Sequence, residues 1–350
     1  MSGMKRVAEF RQQWRGDLSD YVTAIAWSSK GIFAASSAAG EILLGSPTEQ
    51  TTLRSGDDRS IDCLAFSPDG QLLASGGQNG QVQIWRIGQA EPLTTLETRS
   101  WVDRLAWSPT SNQLAFSLGR YVQVWDAQAG EVVTTLNFAA SSVLDLDWRS
   151  DGQFLALGGY QGTIVWRASD WDEDPIVLET PSASVAIAWS PDRTYLAQGN
   201  LDSTIALFEW GNPAPWLMQG FPGKVRKLAW SQVSTRSKAP LLASASGASV
   251  VLWERDADEQ IGWNSDVLAN HDRTVQAIAF QPKTLLLASA AEDGWLALWQ
   301  QGRLIQSFND APDGFSTLAW HPQGQQLAAG GCNGELIVWQ QAGQGFGQRK

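Results

Sequence analysis

The hydrophobic positions of this chain fall in short segments that recur about every 40 residues. In the first kind of segment, apolar and small residues end in an aromatic residue, as in VTAIAW at 22–27 and VDRLAW at 102–107. Its eight copies end at Trp27, Phe66, Trp107, Trp148, Trp189, Trp230, Phe280 and Trp320. The successive spacings are 39, 41, 41, 41, 41, 50 and 40 residues. Such regularity predicts eight copies of one structural unit.

Each unit contains three further segments of strand length. The second is rich in small residues, as in LLASGG at 72–77 and LLASAA at 286–291. The third usually ends in Trp, as in VQIW at 82–85, although units one and five carry Gly45 and Phe208 there. A weaker fourth segment, such as EVVTTL at 131–136, leads to the next unit. Strand length, β-branched and aromatic content, and turn residues on both sides predict four strands per unit.

Four strands in about 40 residues are typical of a β-propeller blade. We therefore predict an all-β fold, an eight-bladed β-propeller formed as a single domain by residues 7–341. The units span about 22–46, 61–85, 102–125, 143–166, 184–208, 225–253, 275–299 and 315–339. Twelve of the 19 Trp occupy the two recurring aromatic positions. Their regular recurrence favours core packing over a tryptophan-lined cofactor site.

The two ends of the chain predict how the ring closes. An extended stretch, VAEFRQQW at 7–14, precedes the first complete unit, and the last unit ends after its third strand. The N-terminal strand is therefore expected to pair beside the strand that ends at Trp339, which leaves no open edge between the first and last blades. Residues 1–6 and 342–350 are expected to be flexible tails. The Gly pairs at 76–77, 158–159 and 330–331 are predicted to form turns.

Composition narrows the function classes. The net charge of −11 argues against nucleic-acid binding, which needs a basic surface, and suits a chain that is monomeric by itself. Two Cys and two His offer neither a disulfide framework nor closely spaced zinc ligands. The N-terminus lacks the apolar run of a signal peptide, and no window approaches the length of a membrane span. We therefore expect a cytoplasmic protein that does not insert into a membrane.

These segments resemble the WD40 repeat family over roughly residues 7–341. In that family a blade can carry a hydrogen-bonded set of His, Ser or Thr, Asp and Trp, and unit seven matches it with His271, Ser289, Asp293 and Trp299. The resemblance implies that this set connects the strands of a blade, although its first three members superficially look like a catalytic triad. The abundant Gln and regular repeats are similar to those of bacterial members, including cyanobacterial ones.

The resemblance also implies an interaction surface. The loop that enters the first strand of a blade and the turn between its second and third strands lie on one face, which is the usual binding face of the family. Most units have small or polar residues there, whereas blades three to five have apolar ones. The predicted protein-binding residues are Trp101, Asp103, Leu118, Arg120, Leu144, Tyr160 and Leu201. Apolar side chains ringed by charge are typical of an interface centre. Alternatively, these side chains fold inward over the channel mouth.

No nucleotide-binding, hydrolase or metalloprotease motif occurs in the sequence. We therefore predict a scaffold or adaptor that binds protein partners, with no catalytic residue, cofactor or metal. An enzyme with a quinone or metal site in the central funnel and a permanent structural subunit of a larger complex are the alternatives. Two lengthened segments break the repeat, a basic one at 231–240 and an acidic one at 254–266. The acidic runs at 170–175 and 254–260 are predicted to be solvated loops.

Overall fold

The computed structural model describes residues 9–46, 49–258 and 260–342. Within these ranges the chain forms eight antiparallel sheets of four strands each. In seven sheets the strands pair in chain order, and the eighth combines the first strand of the chain with the last three. The first strand of each blade contacts the first strand of the next around the whole ring, so these strands surround a central channel. The predicted eight-bladed β-propeller is confirmed.

Among the described residues, the strands of blades one to four follow each other without helices. Blade one contains β2 (Val22–Trp27), β3 (Phe33–Ser37), β4 (Ile42–Ser46) and β5 (Glu49–Arg54). Blade two contains β6 (Ile61–Phe66), β7 (Leu72–Gly77), β8 (Gln81–Arg86) and β9 (Thr94–Glu97). Blade three contains β10 (Leu105–Trp107), β11 (Gln113–Leu118), β12 (Tyr121–Asp126) and β13 (Glu131–Asn137). Blade four contains β14 (Asp145–Trp148), β15 (Phe154–Gly159), β16 (Gly162–Arg167) and β17 (Ile176–Glu179).

Blades five to eight continue the same order. Blade five contains β18 (Ser184–Trp189), β19 (Tyr195–Asn200), β20 (Ile205–Glu209) and β21 (Trp216–Met218). Blade six contains β22 (Lys227–Ser234), β23 (Pro240–Ser246), β24 (Ser249–Arg255) and β25 (Trp263–Leu268). Blade seven contains β26 (Val275–Phe280), β27 (Leu286–Ala291), β28 (Leu296–Gln300) and β29 (Arg303–Phe308). Blade eight contains β30 (Phe315–Trp320), β31 (Gln326–Gly331), β32 (Glu335–Gln341) and β1 (Phe10–Asp17).

The N-terminal strand closes the ring by pairing antiparallel with β32, from Phe10 opposite Gln341 to Asp17 opposite Glu335. The strand begins and ends three residues later than the predicted stretch 7–14, whose first two residues lie outside the described ranges. The predicted tails at 1–6 and 343–350 also lie outside them. Ala342, which was expected in the C-terminal tail, donates its backbone N–H to the carbonyl of Glu9 at 2.7 Å.

Apolar clusters fill the wedges between neighbouring blades. The Trp that ends a first strand packs against the preceding blade, and its indole N–H commonly donates to a carbonyl there. Trp148 Nε1, for example, lies 3.1 Å from the carbonyl oxygen of Ala106. The same bond forms from Trp27, Trp107, Trp230 and Trp320 to Ala319, Ala65, Ala188 and Ala279. These five Trp therefore pack between blades while their indole N–H groups are satisfied across the blade boundary.

The Gly pairs at 76–77, 158–159 and 330–331 are not turns, as the sequence suggested, but the last residues of β7, β15 and β31. A side chain at Gly76 would collide with Val102 of the next blade, and one at Gly330 would collide with Val22. Glycine is needed at these positions because the neighbouring blade approaches the backbone closely.

The lengthened segment of blade six is mostly strand. β22 runs to Ser234 and pairs again with β23 through Ser234 and Pro240, after an irregularity that follows Trp230. Only residues 235–239 connect the two strands. The basic residues of this segment thus lie on a projecting hairpin, because the additional residues extend the ladder instead of forming a long loop.

Candidate functional site

Linkers and turns form a continuous rim on one side of the propeller, here called the upper face. It consists of the linkers that enter the first strands and the turns between the second and third strands. The turn of blade five donates from Leu201 N to the carbonyl of Ala183 in its own linker at 3.0 Å. The next linker donates from Val225 N to the carbonyl of Asn200 at 3.1 Å. These alternating bonds fix the rim on which the predicted binding residues lie.

Three of the predicted residues present large apolar side chains to solvent on consecutive blades. Trp101 is 61% exposed in the linker to blade three, Tyr160 is 55% exposed in the turn of blade four, and Leu201 is 47% exposed in the turn of blade five. The first turn residue of the other six blades is Ala38, Gln78, Gly119, Gly247, Glu292 or Cys332. At this turn position a large apolar residue therefore occurs only in blades four and five, whereas Trp295, at the end of the turn of blade seven, is a further exposed aromatic residue of the upper face at 38%.

The other predicted residues differ in their surroundings. Asp103 and Arg120 are exposed, and Arg120 Nη2 donates to the carbonyl of Ala139 in the next linker at 2.8 Å. Leu144 is half-buried in front of β14. Leu118, which ends β11, is half-buried and packs against the core between blades two and three.

One residue of this surface was missed by the sequence analysis. Tyr121 follows Arg120 at the start of β12, and its side chain is 42% exposed. Its place in the third repeated segment indicated a strand residue, and the alternation along that strand directs it outward. We call Trp101, Asp103, Leu118, Arg120, Tyr121, Leu144, Tyr160 and Leu201 the docking surface.

Charged residues line the central channel beside this surface, just before the first strand of blade three and on the first strands of blades four and six. Arg104 Nε lies 3.2 Å from Asp145 Oδ1 on the next blade. Asp145 Oδ2 accepts the backbone N–H of Ile187 at 2.9 Å, and Asp147 Oδ2 accepts that of Trp189 at 2.8 Å. The two carboxylates therefore satisfy two N–H groups on the channel-facing edge of β18.

Burial shifts the pKa of each of these channel groups. It raises the pKa of Asp145, although the charge of Arg104 opposes the change. It raises the pKa of Asp147 to about 7, against the hydrogen bond from Trp189. It lowers the pKa of Lys227 on β22, and the nearby charge of Arg104 lowers it further. Each group is thus less readily charged than it would be in water.

The His271 set forms a hydrogen-bonded chain within blade seven. His271 Nδ1 lies 3.1 Å from Asp293 Oδ2, and His271 Nε2 lies 2.8 Å from Ser289 Oγ. The same hydroxyl oxygen accepts Trp299 Nε1–H at 2.8 Å. Burial lowers the pKa of His271 despite the neighbouring Asp293 charge. The chain joins the linker, second strand, turn and third strand of the blade, and Ser289 is fully buried within it.

Replacing His271 with Ala is expected to lower the free energy of unfolding by about 1–3 kcal/mol, because Ser289 and Asp293 lose a buried partner. Denaturant titration measures the change, with Asp272→Ala as a control, since Asp272 is exposed and contributes only its backbone N–H to Asp293. Binding by the folded fraction should stay unchanged. Unchanged stability together with lost binding would contradict a structural role.

The opposite, lower face carries a polar cavity of about 630 Å³ between blades five and six. Its wall includes Tyr195, Trp216, Lys238 and Arg255. The Arg255 guanidinium carbon lies 5.0 Å from the centre of the Trp216 ring. The hairpin of blade six, which contributes Lys238, therefore forms one side of this cavity.

In the described part of the chain, no group of three or more His, Cys, Asp or Glu side chains is placed to hold a metal ion. Over the same residues, no helix has the length and apolar character needed to cross a membrane.

Comparison with known proteins agrees with this architecture. The family model described as "WD domain, G-beta repeat" matches residues 48–86, 263–300 and 302–340. Each range spans the last strand of one blade and the first three strands of the next, which are blades two, seven and eight. Eight four-stranded blades in a closed ring define the class of the molecule as a β-propeller. Three of its units match the WD40 repeat model, so the chain is a β-propeller that contains WD40 repeats.

Similar proteins include much longer chains. An intraflagellar transport protein 122 homolog of Xenopus tropicalis is 23% identical over 82% of this chain and 24% of its own length. Telomerase protein component 1 of Mus musculus is 24% identical over 76% of this chain and 10% of its own length. Protein HIR1 of Kluyveromyces lactis is 21% identical over 78% of this chain and 40% of its own length. This chain thus spans less than half the length of these relatives.

A crystal structure of the computationally designed Ika8 protein shares the fold. It has a TM-score of 0.77 and 22% sequence identity, and the match covers 93% of this chain and 97% of that one. At this identity the likeness concerns the arrangement of blades alone.

Proposed function

We propose that this protein is a non-catalytic scaffold or adaptor whose protein partner binds the docking surface on blades three to five. The exposure of Trp101, Tyr160 and Leu201 on one rim is the observation that supports this proposal most directly. Trp and Tyr are enriched among the residues that dominate interface energetics. The names of this chain's relatives, which concern intraflagellar transport, telomerase and HIR proteins, agree with a role in protein assemblies.

The surroundings of these side chains support docking by a partner. The rim beneath them is held by backbone hydrogen bonds, so little order has to be gained on binding. The backbone N–H of Tyr160 also donates to Ser141 Oγ in the linker of its blade, at 3.0 Å. Asp103 and Arg120 border the apolar side chains with charge, as at the rim of known interfaces. We propose that the chain acts as a monomer and needs no cofactor for this binding.

The double variant Trp101→Ala, Tyr160→Ala is expected to weaken partner binding by at least about 2 kcal/mol, or thirtyfold. The fold should survive because both side chains are largely in solvent. Affinity purification with quantitative mass spectrometry identifies the proteins captured by wild type, and titration with each purified protein gives its Kd. Circular dichroism and thermal melting verify folding.

The matched control is Leu217→Ala, Val267→Ala, which removes two side chains that are each 61% exposed on the outer strands of blades five and six. This control should bind as wild type does. If the folded docking variant recovers the same partners with the same Kd, the docking surface is not the site. The hairpin and cavity of the lower face would then be the next region to mutate.

A further inference from the structure

The upper face has an acidic half and a basic half. On blades seven, eight, one and two, its linkers, turns and strand ends are mainly acidic. The acidic residues are Asp17, Asp20, Glu41, Asp57, Asp58, Asp62, Glu97, Asp272, Glu292, Asp310 and Asp313, beside Asp293 and the buried Glu335. The basic ones are Arg15, Arg54, Arg59 and Arg273. Arg54 forms an ion pair with Asp57 at 2.7 Å, and the other three arginines are outnumbered by the carboxylates of this half.

The other half of the upper face, on blades three to six, has the opposite balance. Its basic residues are Arg99, Arg104, Arg120, Lys224, Arg226 and Lys227, and its acidic ones are Asp103, Asp145, Glu179 and Asp202. Within the described residues, Arg99, Arg120, Lys224 and Arg226 are exposed and have no carboxylate within 4.0 Å. These cations are not neutralised within the chain, although the whole protein has a net charge of −11.

The unpaired cations and the exposed apolar side chains occupy the same half. Arg120 lies between Leu118 and Tyr121 on the docking surface, and Arg226 lies where the linker of blade six reaches the channel mouth. Next to Arg226, Lys227 faces the channel and has no ion-pair partner within 4.0 Å among the described residues. A ligand that crosses this half therefore meets apolar contacts at the rim and positive charge on either side of them.

We propose that the segment recognised by the docking surface is an acidic peptide with one aromatic or aliphatic side chain among its carboxylates. The apolar side chain contacts Trp101, Tyr160 or Leu201, and the carboxylates approach Arg120 and Arg226. A basic segment is repelled from this half, and an uncharged one leaves the cations unpaired. Complementary charge adds both specificity and a faster encounter. This inference rests on the proposed function and specifies the chemistry of the partner.

The test uses fluorescein-labelled peptides of about twelve residues and the full chain. The first has one central Phe flanked by Glu, the second has Lys in place of Glu, and the third has Ser in place of Phe. Fluorescence anisotropy should show that the first binds at least about tenfold more tightly than either of the others. Its affinity should also fall as salt rises, since exposed charges are screened.

Charge reversal locates the peptide. Arg120→Glu, Arg226→Glu is expected to weaken binding of the glutamate peptide by at least about tenfold. The matched control, Arg59→Glu, Arg273→Glu, changes the net charge equally but alters linkers on the acidic half. It should change the Kd by less than about threefold. Equal losses in both variants, equal binding of the lysine peptide, or no binding at about 1 mM glutamate peptide would each overturn the inference.

The same variants separate this inference from the proposed function. Suppose that Trp101→Ala, Tyr160→Ala abolishes capture of a natural partner and Arg120→Glu, Arg226→Glu does not. The proposed docking surface is then supported, and the inference that its partner is acidic is wrong. If neither variant affects any natural partner, the docking surface itself is wrong.

Discussion

Deleting residues 1–17 is expected to destabilise the entire ring, by more than the ~3–5 kcal/mol that truncation of one large core aromatic costs. The deletion removes β1, exposes the backbone edge of β32 and leaves blade eight with three strands. It also removes Phe10, which is 1% exposed and packs edge-on against Trp320 with ring centres 5.4 Å apart. Urea titration should show a lower midpoint than wild type, and the free edge should promote aggregation.

A shorter deletion provides the control. Removing residues 1–8 keeps every described residue of β1 and should leave the urea midpoint unchanged. A single substitution, Phe10→Ala, should fall between the two deletions, since it keeps the ladder with β32 but leaves a cavity. If the 1–17 deletion melts as wild type does, then β1 does not contribute to closing the ring.

Much of this fold can be predicted because one pattern is repeated eight times. The segments 72–77 and 286–291 coincide with β7 and β27 residue for residue. The second segment is rich in small residues and the third usually ends in Trp. A segment that is ambiguous alone can therefore be assigned by comparison with the other copies. Prediction fails where a residue's surroundings come from another blade. The first glycines of the Gly pairs are an example, because the next blade approaches Gly76, Gly158 and Gly330 too closely for a side chain.

The candidate site was only partly accessible to sequence reasoning. Trp101, Tyr160 and Leu201 could be found because they interrupt positions where other blades have small or polar residues. The packing of Leu118 against the core could not, because it depends on the neighbouring blade. The division of charge on the upper face was also missed. It emerges only when linkers distant in sequence are placed around one rim.

The channel charges did leave a signal in the sequence. The residue before the aromatic that ends the first repeated segment is Ala in seven units, at Ala26, Ala65, Ala106, Ala188, Ala229, Ala279 and Ala319. Blade four alone has Asp147 there. The neighbouring Trp189 differs accordingly, since its indole Nε1 has no hydrogen-bond partner among the described residues, whereas its backbone N–H donates to Asp147. This single exception to the repeat thus identifies a channel carboxyl whose pKa burial raises to about 7.

Replacing Asp147 with Ala is expected to remove a pH-dependent loss of stability. Burial raises the pKa of Asp147 from 3.8 to about 7, so the folded protein binds more protons than the unfolded chain between these values. Its contribution to stability is therefore present below pH 3.8 and is lost as the pH rises through about 7. A shift of this size corresponds to about 4 kcal/mol at most. The lost hydrogen bond to Trp189 N subtracts about 1 kcal/mol from the gain in the variant.

Urea titrations at several pH values measure this difference. Relative to wild type, Asp147→Ala should be equal or slightly less stable near pH 4 and about 1–3 kcal/mol more stable near pH 8. Asp147→Asn should show the same trend while keeping an acceptor for Trp189. Asp126→Ala serves as a control of opposite sign. The hydrogen bond from Ala129 N–H lowers the pKa of Asp126, so the folded protein favours the charged carboxylate. Replacing Asp126 should therefore cost more stability as the pH rises. A constant difference between wild type and Asp147→Ala from pH 4 to pH 8 would show that Asp147 titrates alike in the folded and unfolded chain.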